Sequence, residues 1–312
     1  MIRLGTGNAL TAVLLLILLN SGSVYSQEVG QYQHWLELRA ADQSFADRSA
    51  EIGRNSAFLE ILGEDSIVFR RERGGPVDAL EIYSSGSDQR EINWKAHYVD
   101  VSRDGDLGLS AGPLILINQE GQDGFGHQVS IWRKKELRWE LMVDIVVPIP
   151  GFLSLEVEPN FDDTRPVLEE TANAVMAMAE TNNLQRLIDA DDLFGRSINF
   201  RGGQRTLLRY GLENARVYLP GMAPAVGADY ASSVYGAFLD NQLSTTNEIS
   251  LTYAGGYLST SKEMGYTYGT MATTADESEL ESGTPFKASY MRLWRLTPSN
   301  EWKVAVEVLN PF

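Results

Sequence analysis

The sequence contains an internal repeat, and this repeat limits the folds open to the chain more than any other feature. Four residues near the start of the first copy recur unchanged 149 positions later; the pairs are Ala41 and Ala190, Asp42 and Asp191, Phe45 and Phe194, and Gly53 and Gly202. Further pairs follow at slightly larger offsets; they are Gly108 and Gly265, Gly112 and Gly269, Trp132 and Trp294, Trp139 and Trp302, and Asp144 and Glu307. Because all pairs keep the same order, we infer one folding unit that occurs twice.

Each copy begins with helical periodicity and continues with strand-like segments. Apolar residues recur at helical spacing over 36–50 and again over 185–199, and a glycine that can end a helix follows each run. A second short helix is expected after each glycine. Alternating or apolar segments then predict strands of the first copy at 67–69, 92–101, 107–118, 126–134 and 139–147. Helices followed by a meander of antiparallel strands predict an α+β fold for each copy.

The first 26 residues have the layout of a secretory signal peptide. Arg3 precedes a run of 11 residues from Ala9 to Leu19 that is apolar except for Thr11, and the small residues Ser21, Gly22 and Ser26 follow. The run is shorter than the roughly 20 residues that span a bilayer, which favours a cleaved signal over a membrane anchor. We therefore expect cleavage after Ser26, export to the periplasm or the extracellular space, and no membrane association afterwards.

Length and the lack of cysteine bound the domain organisation. Cleavage leaves 286 residues, and at roughly 100 to 200 residues per domain this length suggests two domains. There is no cysteine for a disulfide or a lipid anchor, so each domain needs its own packed core. The repeat predicts a first domain over 33–148, a linker over 149–164, and a second domain over 165–312 that opens with an additional helix from Pro166 to Thr181.

The acidic charge balance limits the partners. The full chain carries 26 basic and 42 acidic residues, a net charge of −16, and loss of Arg3 with the signal peptide changes this to −17. Such a surface repels nucleic acids and anionic lipids. The expected partner is a small apolar molecule or a protein surface, and the two copies could pair within the chain or form a homodimer.

Three phrases of the first copy resemble the nuclear transport factor 2-like superfamily. They are AFLEILGEDSIVF from Ala57, INWKAHYVDVSRDGDLGLSAG from Ile92, and GHQVSIWRKKELRWELMVDI from Gly126. They are most similar to the SnoaL-like and ketosteroid isomerase-like branch known as domain of unknown function 4440. The resemblance covers residues 36–147 and extends faintly to 185–312 through the repeat. It implies two tandem cone-shaped domains, each a curved antiparallel sheet wrapped around N-terminal helices, with an apolar pocket at the open end.

Members of this superfamily include isomerases, cyclases, dehydratases and proteins that only bind ligands or subunits, so the resemblance alone does not imply one function. Ketosteroid isomerases use an aspartate base, and a tyrosine and a neutral aspartic acid that stabilise an oxyanion. Aligned with them, this chain has Arg70 and Leu219 at the base, Ala46 and Gly195 at the tyrosine, and Val129 and Met291 at the second acid. The ketosteroid isomerase reaction is therefore not expected in either copy.

A histidine and an aspartate of the first copy form the candidate catalytic pair. If Val129 faces the pocket, strand alternation places His127 on the same face, and a hairpin register that pairs Val129 with Met142 sets His127 opposite Asp144. A carboxylate beside a histidine fixes its tautomer and stabilises its protonated form, which suits a general base. The alternative is a solvated His127 near the hairpin end and an Asp144 that accepts backbone hydrogen bonds.

The remaining candidates are ligand-binding residues around the two expected pockets. They are Trp94, His97, Val129, Ile131 and Met142 in the first copy, and Ser289 and Glu307 in the second, which has no histidine. The sequence has no metal-ligand spacing, no phosphate-binding glycine loop and no nucleophile elbow, so no metal or cofactor is expected. Three interpretations remain open: a protein that binds a small apolar molecule in the first pocket, an enzyme that uses His127 and Asp144, and a scaffold whose two domains pack sheet on sheet.

Overall fold

The computed structural model describes residues 30–86, 91–117, 124–164, 179, 181–242, 248–273 and 286–312. The predicted signal peptide lies outside these residues, as does the predicted helix from Pro166 to Thr181 apart from positions 179 and 181. We refer to residues 30–149 as the first half and to 181–312 as the second half. Within the described ranges no helix is both long enough and apolar enough to cross a membrane.

The first half begins with two helices separated by a glycine, as the sequence predicts. Helix α1 spans Gln31–Ile52 and α2 spans Arg54–Ile61, and Gly53 between them has a φ of +85°, which residues with a Cβ rarely adopt. A third helix that the periodicity does not predict, α3, spans Ala79–Ser84. The Asp78 side chain accepts a hydrogen bond from the Glu81 amide and caps α3.

The strands of the first half form one seven-stranded sheet. They are β1 (Leu62–Arg70), β2 (Gly75–Asp78), β3 (Glu91–Trp94), β4 (Tyr98–Val101), β5 (Leu107–Ile117), β6 (Gly124–Lys135) and β7 (Arg138–Ile149). Their order is β2-β1-β7-β6-β5-β3, with β4 also paired to β5, and only β1 and β7 pair in parallel. The strand predicted over 92–101 is interrupted at 95–97, where the Lys95 carbonyl approaches Gly112 so closely that a Cβ would lie 1.9 Å from it.

The second half repeats this order of elements. Helix α4 spans Leu184–Tyr210 with a break at Gly202, which has a φ of +77°, and α5 spans Ala228–Gln242. The strands are β8 (Gly211–Tyr218), β9 (Ala225–Val226), β10 (Ile249–Leu258), β11 (Met264–Thr273), β12 (Lys287–Leu296) and β13 (Trp302–Pro311). Their order is β10-β11-β12-β13-β8-β9. Read from the β3 edge, the first sheet has the equivalent order β3-β5-β6-β7-β1-β2, and β8 pairs in parallel with β13 as β1 does with β7. The predicted α+β class is confirmed.

The helices of each half cover one face of its own sheet. In the first half Phe45 of α1 packs edge to face against Trp132 of β6, with ring centroids 5.8 Å apart. In the second half Phe194 of α4 packs in the same way against Trp294 of β12 at 6.1 Å. These four residues are two repeat pairs, so the two halves have equivalent cores between helices and sheet.

The opposite faces of the two sheets pack against each other. One apolar cluster contains side chains from both sheets, and it includes Leu109, Val129, Ile131, Met291, Leu293 and Val306, all of which are fully buried. Each such side chain contributes about 1.5–3 kcal/mol relative to an exposed one. The halves therefore pack sheet on sheet within one chain, which is the arrangement that the scaffold interpretation predicts.

Polar contacts across this interface follow an approximate twofold symmetry. Asp106 accepts a hydrogen bond from the Thr260 amide at 2.7 Å, and Glu263 accepts one from the Arg103 amide at 2.8 Å. The repeat offset of 157 residues relates Asp106 to Glu263 and Arg103 to Thr260. Reciprocal contacts of this kind are typical of a symmetric dimer, so the two halves are arranged as a dimer within one chain.

A buried ion group lies in the same interface. Arg295 forms salt bridges with Asp100 of the first half and with Glu263 of its own half, and the Nη1–Oε2 distance to Glu263 is 2.5 Å. All three side chains are at most 3% exposed. Arg133, the repeat equivalent of Arg295, instead lies over the Tyr257 ring at 5.5 Å and is partly exposed. The symmetry is therefore incomplete, because only one of the two equivalent arginines is a buried ion.

Candidate functional site

The predicted pairing of His127 with Asp144 is wrong. In the hairpin of β6 and β7, His127 pairs with Val147 and Asp144 pairs with Ser130. The predicted register places the turn one residue too early and omits the β-bulge in the middle of the hairpin. The partner of His127 is therefore Val147, three residues beyond the predicted Asp144. Because three is odd, the side chains of His127 and Asp144 lie on opposite faces of the sheet.

The two candidates of the second half, Ser289 and Glu307, are separated in the same way. Ser289 pairs with Asn310, whereas Glu307 pairs with Arg292. By strand alternation Ser289 shares the face of Met291, which belongs to the cluster between the sheets. Glu307 lies on the helix-facing side, where it accepts a hydrogen bond from Tyr235 of α5.

The residues expected to line the first pocket with His127 lie between the two sheets instead. Val129, Ile131 and Met142 all belong to the apolar cluster that joins the halves. His127 is 1% exposed, and its ring lies edge to face against Tyr218 of the second half, with centroids 5.6 Å apart. Burial lowers the pKa of His127 to about 4, although the Met222 backbone opposes this shift. His127 is thus a neutral interface residue.

Because His127 is buried in its neutral form, we expect acid to lower the free energy of unfolding, and the variant His127→Phe tests this expectation. The pKa of His127 is lower in the folded chain than the 6.5 of an unperturbed histidine, so the unfolded chain binds more protons between pH 6.5 and pH 4. Wild-type stability therefore loses up to about 3 kcal/mol from this residue as the pH falls through that range. The unfolding free energy of His127→Phe, measured in urea from pH 7 to pH 4, is expected to rise relative to wild type by this amount. A pH-independent difference would contradict the prediction.

Trp94 and His97 are the other two predicted ligand-binding residues of the first half, and His97 is close enough to His127 to help lower its pKa. Trp94 is buried in the core between helices and sheet, with its ring 4.9 Å from that of Phe45. His97 lies beside the backbone of Ser154 in the segment after β7, and burial lowers its pKa. Of these two, only Trp94 is near the buried carboxyl groups described next.

A buried polar cluster lies between the helices and the sheet of the first half. Asp42 of α1 accepts a hydrogen bond from the Ser110 hydroxyl of β5 at 2.7 Å. Asp144 of β7 accepts hydrogen bonds from Gln128 and Ser130 of β6 at 3.1 and 3.0 Å. All five side chains are at most 3% exposed. We call these five residues the Asp42–Asp144 cluster.

Both carboxyl groups of this cluster have raised pKa values. Burial raises the pKa of Asp42 to about 6, the neighbouring Asp144 adds to this, and the hydrogen bond from Ser110 and the nearby Trp94 indole oppose it. Burial also raises the pKa of Asp144, against the opposing charges of Arg54 and Arg70. Titratable groups with perturbed pKa values inside a domain are candidates for a functional site.

The second half has an equivalent cluster in which an arginine forms salt bridges with both carboxylates. Thr267 donates a hydrogen bond to Asp191 at 3.0 Å, as Ser110 does to Asp42. Arg292, at the position of Ser130, donates to Asp191 at 2.6 Å and to Glu307 at 2.5 Å, and its side chain is 0% exposed.

Tyr290 and Tyr235 complete this cluster. Tyr290, at the position of Gln128, donates to Asp191 at 2.7 Å, and Tyr235 donates to Glu307 at 3.3 Å. Burial and the nearby Asp191 raise the pKa of Glu307 to about 7, although Arg292 opposes the shift. The interiors of the two halves therefore share a skeleton but differ in charge.

Two acceptor atoms of the Asp42–Asp144 cluster remain unpaired. Asp144 Oδ2 and Gln128 Oε1 are buried and accept no hydrogen bond from any part of the chain that the structure describes. A buried acceptor without a donor costs about 1–3 kcal/mol. The equivalent side chains of the second half, Glu307 and Tyr290, are both hydrogen-bonded.

Two clefts open on the described surface of the first half. One, of about 480 Å³, lies between the ends of α1, α2 and α3, and Arg54 and Tyr83 form part of its wall. Both of these residues interact electrostatically with Asp144. The other cleft, of about 370 Å³, lies beside α1 and has Asp42 in its wall together with Lys95 and Glu158. Each buried carboxyl is therefore close to one cleft.

The sequence patterns do not indicate Asp42, Ser110, Gln128 or Ser130 as site residues. A signal for Asp42 is present, because it is identical to Asp191 in the repeat and lies on the apolar face of a helix. Among the described residues, no group of three or more histidine, aspartate or glutamate side chains is placed to hold a metal ion.

No family model matches the chain, and no curated protein matches it. Several solved structures do. A ketosteroid isomerase-like protein from Erwinia carotovora atroseptica SCRI1043 is 15% identical over 46% of this chain and 98% of its own, with a TM-score of 0.32. A conserved protein from Planctomyces limnophilus DSM 3776 is 17% identical over 36% of this chain and 96% of its own, with a TM-score of 0.29. A protein with a cystatin-like fold from Nostoc punctiforme PCC 73102 is 15% identical over 38% and 92%, with a TM-score of 0.29. Each of these similarities covers less than half of this chain.

Proposed function

We propose that the chain is an exported binding protein that holds a small molecule in the interior of its first half, while its second half serves as a structural partner. The nuclear transport factor 2-like resemblance of both copies is part of this proposal. The single observation that carries it is the difference between the two equivalent clusters. The second is neutralised by Arg292, whereas the first keeps two raised-pKa carboxyls and two unpaired acceptors in its described surroundings.

The ligand expected on this basis is polar rather than apolar. The apolar side chains first expected to line a pocket, such as Val129 and Ile131, are used between the sheets. The cleft walls instead carry charged and hydroxyl side chains, among them Arg54, Tyr83 and Asp42. Polar groups of this kind fix the orientation of a small ligand.

Acid–base catalysis at Asp42 is the second candidate function. Its pKa of about 6 lies close to a neutral working pH, which is where a general base or acid is most effective. Asp42 also lies in the wall of the 370 Å³ cleft and is held by Ser110. This candidate replaces the pair of His127 and Asp144, which the hairpin register separates.

Native mass spectrometry of the chain, purified from the compartment to which its host exports it, tests the binding proposal. We expect a retained small molecule in wild type and its loss in Ser56→Trp, because Ser56 lies in the wall of the 480 Å³ cleft and the larger tryptophan side chain would obstruct it. Arg205→Trp is the matched control, since Arg205 is the exposed repeat equivalent of Ser56 and should leave the retained mass unchanged. A wild-type spectrum without any retained molecule would refute the proposal.

A further inference from the structure

We infer that the Asp42–Asp144 cluster binds the guanidinium or ammonium group of a small ligand, in the position that Arg292 occupies in the second half. This inference rests on the proposed binding function, because it names the chemical class of the ligand for the same interior site. It is carried by two features: the equivalence of the two clusters and the two unpaired acceptors.

The equivalence of the clusters defines where a cation fits. Asp42 corresponds to Asp191, and Asp144 corresponds to Glu307. In each half the first of these carboxyls lies on the first helix and the second lies on the last strand. In the second half the guanidinium of Arg292 donates to both carboxyls, at 2.6 and 2.5 Å. Ser130 occupies the position of Arg292 in the first half. The Asp42 and Asp144 carboxyls therefore lack a side chain that bridges them.

The unpaired atoms specify a ligand that donates hydrogen bonds. Asp144 Oδ2 and Gln128 Oε1 are both acceptors, and no donor from the described chain reaches either of them. Gln128 already uses its amide nitrogen to donate to Ser130 and Asp144. A guanidinium or ammonium group supplies several N–H donors in a small volume, and it pairs with a carboxylate more strongly than a neutral donor does.

The charged and titratable groups that face Asp144 lie on four surrounding elements. They are Asp42 from α1, Arg54 from α2, Arg70 from β1 and Tyr83 from α3. Arg54 and Arg70 disfavour a second cation, so a bare guanidinium ion should bind only at about millimolar concentration. Protons compete for the same carboxyls, because the pKa of Asp42 is about 6 and that of Asp144 is raised. Affinity should therefore increase about tenfold from pH 5 to pH 7.5.

The indole groups of Trp132 and Trp294 provide matched reporters in one molecule. Trp132 Nε1 donates to Ser110 at 2.8 Å, within the first cluster, and Trp294 Nε1 donates to Thr267 at 2.9 Å, within the second. The probe is methylguanidinium chloride, titrated into the full chain while the indole N–H signals are followed by NMR. We expect a saturable shift of the Trp132 signal, no shift of the Trp294 signal, and at least tenfold weaker binding of neutral methylurea.

Two variants and one control complete the test. Asp144→Asn removes one charge at constant shape and should abolish the Trp132 response. Ser130→Arg should abolish it as well, by placing an internal guanidinium between the carboxyls. Asp65→Asn is the control, because Asp65 is exposed on β1 and its change should leave the titration unaltered.

The outcomes separate this inference from the proposed function. A Trp132 response that is absent, that equals the Trp294 response, or that survives in Asp144→Asn overturns the inference. If native mass spectrometry then shows a retained molecule without a cationic nitrogen, the binding function stands and only the ligand class is wrong. A cationic retained molecule that Ser130→Arg excludes supports both.

Discussion

Replacing Arg295 with leucine is expected to destabilise the chain by about 3–5 kcal/mol, because it leaves two buried carboxylates without their cation. Arg295 bridges Asp100 of the first half and Glu263 of the second, and it also donates to the Val101 carbonyl at 2.7 Å. The loss should appear as a lower urea midpoint for unfolding. It should also promote separation of the two halves, which limited proteolysis of the linker after β7 would detect.

Arg133→Leu is the matched control for this change, since the repeat relates Arg133 to Arg295. Arg133 is partly exposed and makes a cation–π contact with Tyr257 at 5.5 Å, which contributes about 0.5–1 kcal/mol. The triple variant Arg295→Leu, Asp100→Asn, Glu263→Gln should regain part of the lost stability, because no buried charge remains. Equal losses in Arg295→Leu and Arg133→Leu would show that the ion group does not join the halves.

The elements of the fold could be predicted because their signals are local. Gly53 and Gly202 end helices in both copies, and their positive φ angles explain why glycine stands at both positions. Most strands of the first half follow from alternation; the exceptions are β2, which the pattern does not predict, and the break where the chain leaves the ladder beside Gly112. Local patterns of this kind are visible in a single sequence.

The site could not be predicted in the same way because it depends on register. A β-bulge in the hairpin of β6 and β7 adds Met142 to β7, so Asp144 lies on the helix-facing side while His127 lies on the face between the sheets. Alternation alone cannot reveal this, since apolar residues line both faces once a second sheet covers the first. The repeat did contain two usable signals: the identity of Asp42 and Asp191, and the replacement of Ser130 by Arg292 between otherwise equivalent carboxyls.

Replacing Arg292 with methionine tests whether the second half depends on its internal cation. The change leaves Asp191 and Glu307 buried without a cation, and it should cost about 3–5 kcal/mol at pH 8. The loss should be smaller at pH 5. The folded pKa of Glu307 is already about 7, above its ordinary value, so acid supplies a proton that neutralises the remaining carboxyls in the folded chain.

Arg196→Met provides the control for this substitution. Arg196 forms a salt bridge with Asp192 on the same helix, α4, and the two side chains are 63% and 61% exposed. Such pairs contribute about 0–1 kcal/mol, so this variant should unfold close to wild type at both pH values. If Arg292→Met is also close to wild type, or if its loss is the same at pH 5 and pH 8, then Arg292 does not neutralise the cluster. The comparison between Arg292 and Ser130 would then no longer indicate that a cation belongs in the first half.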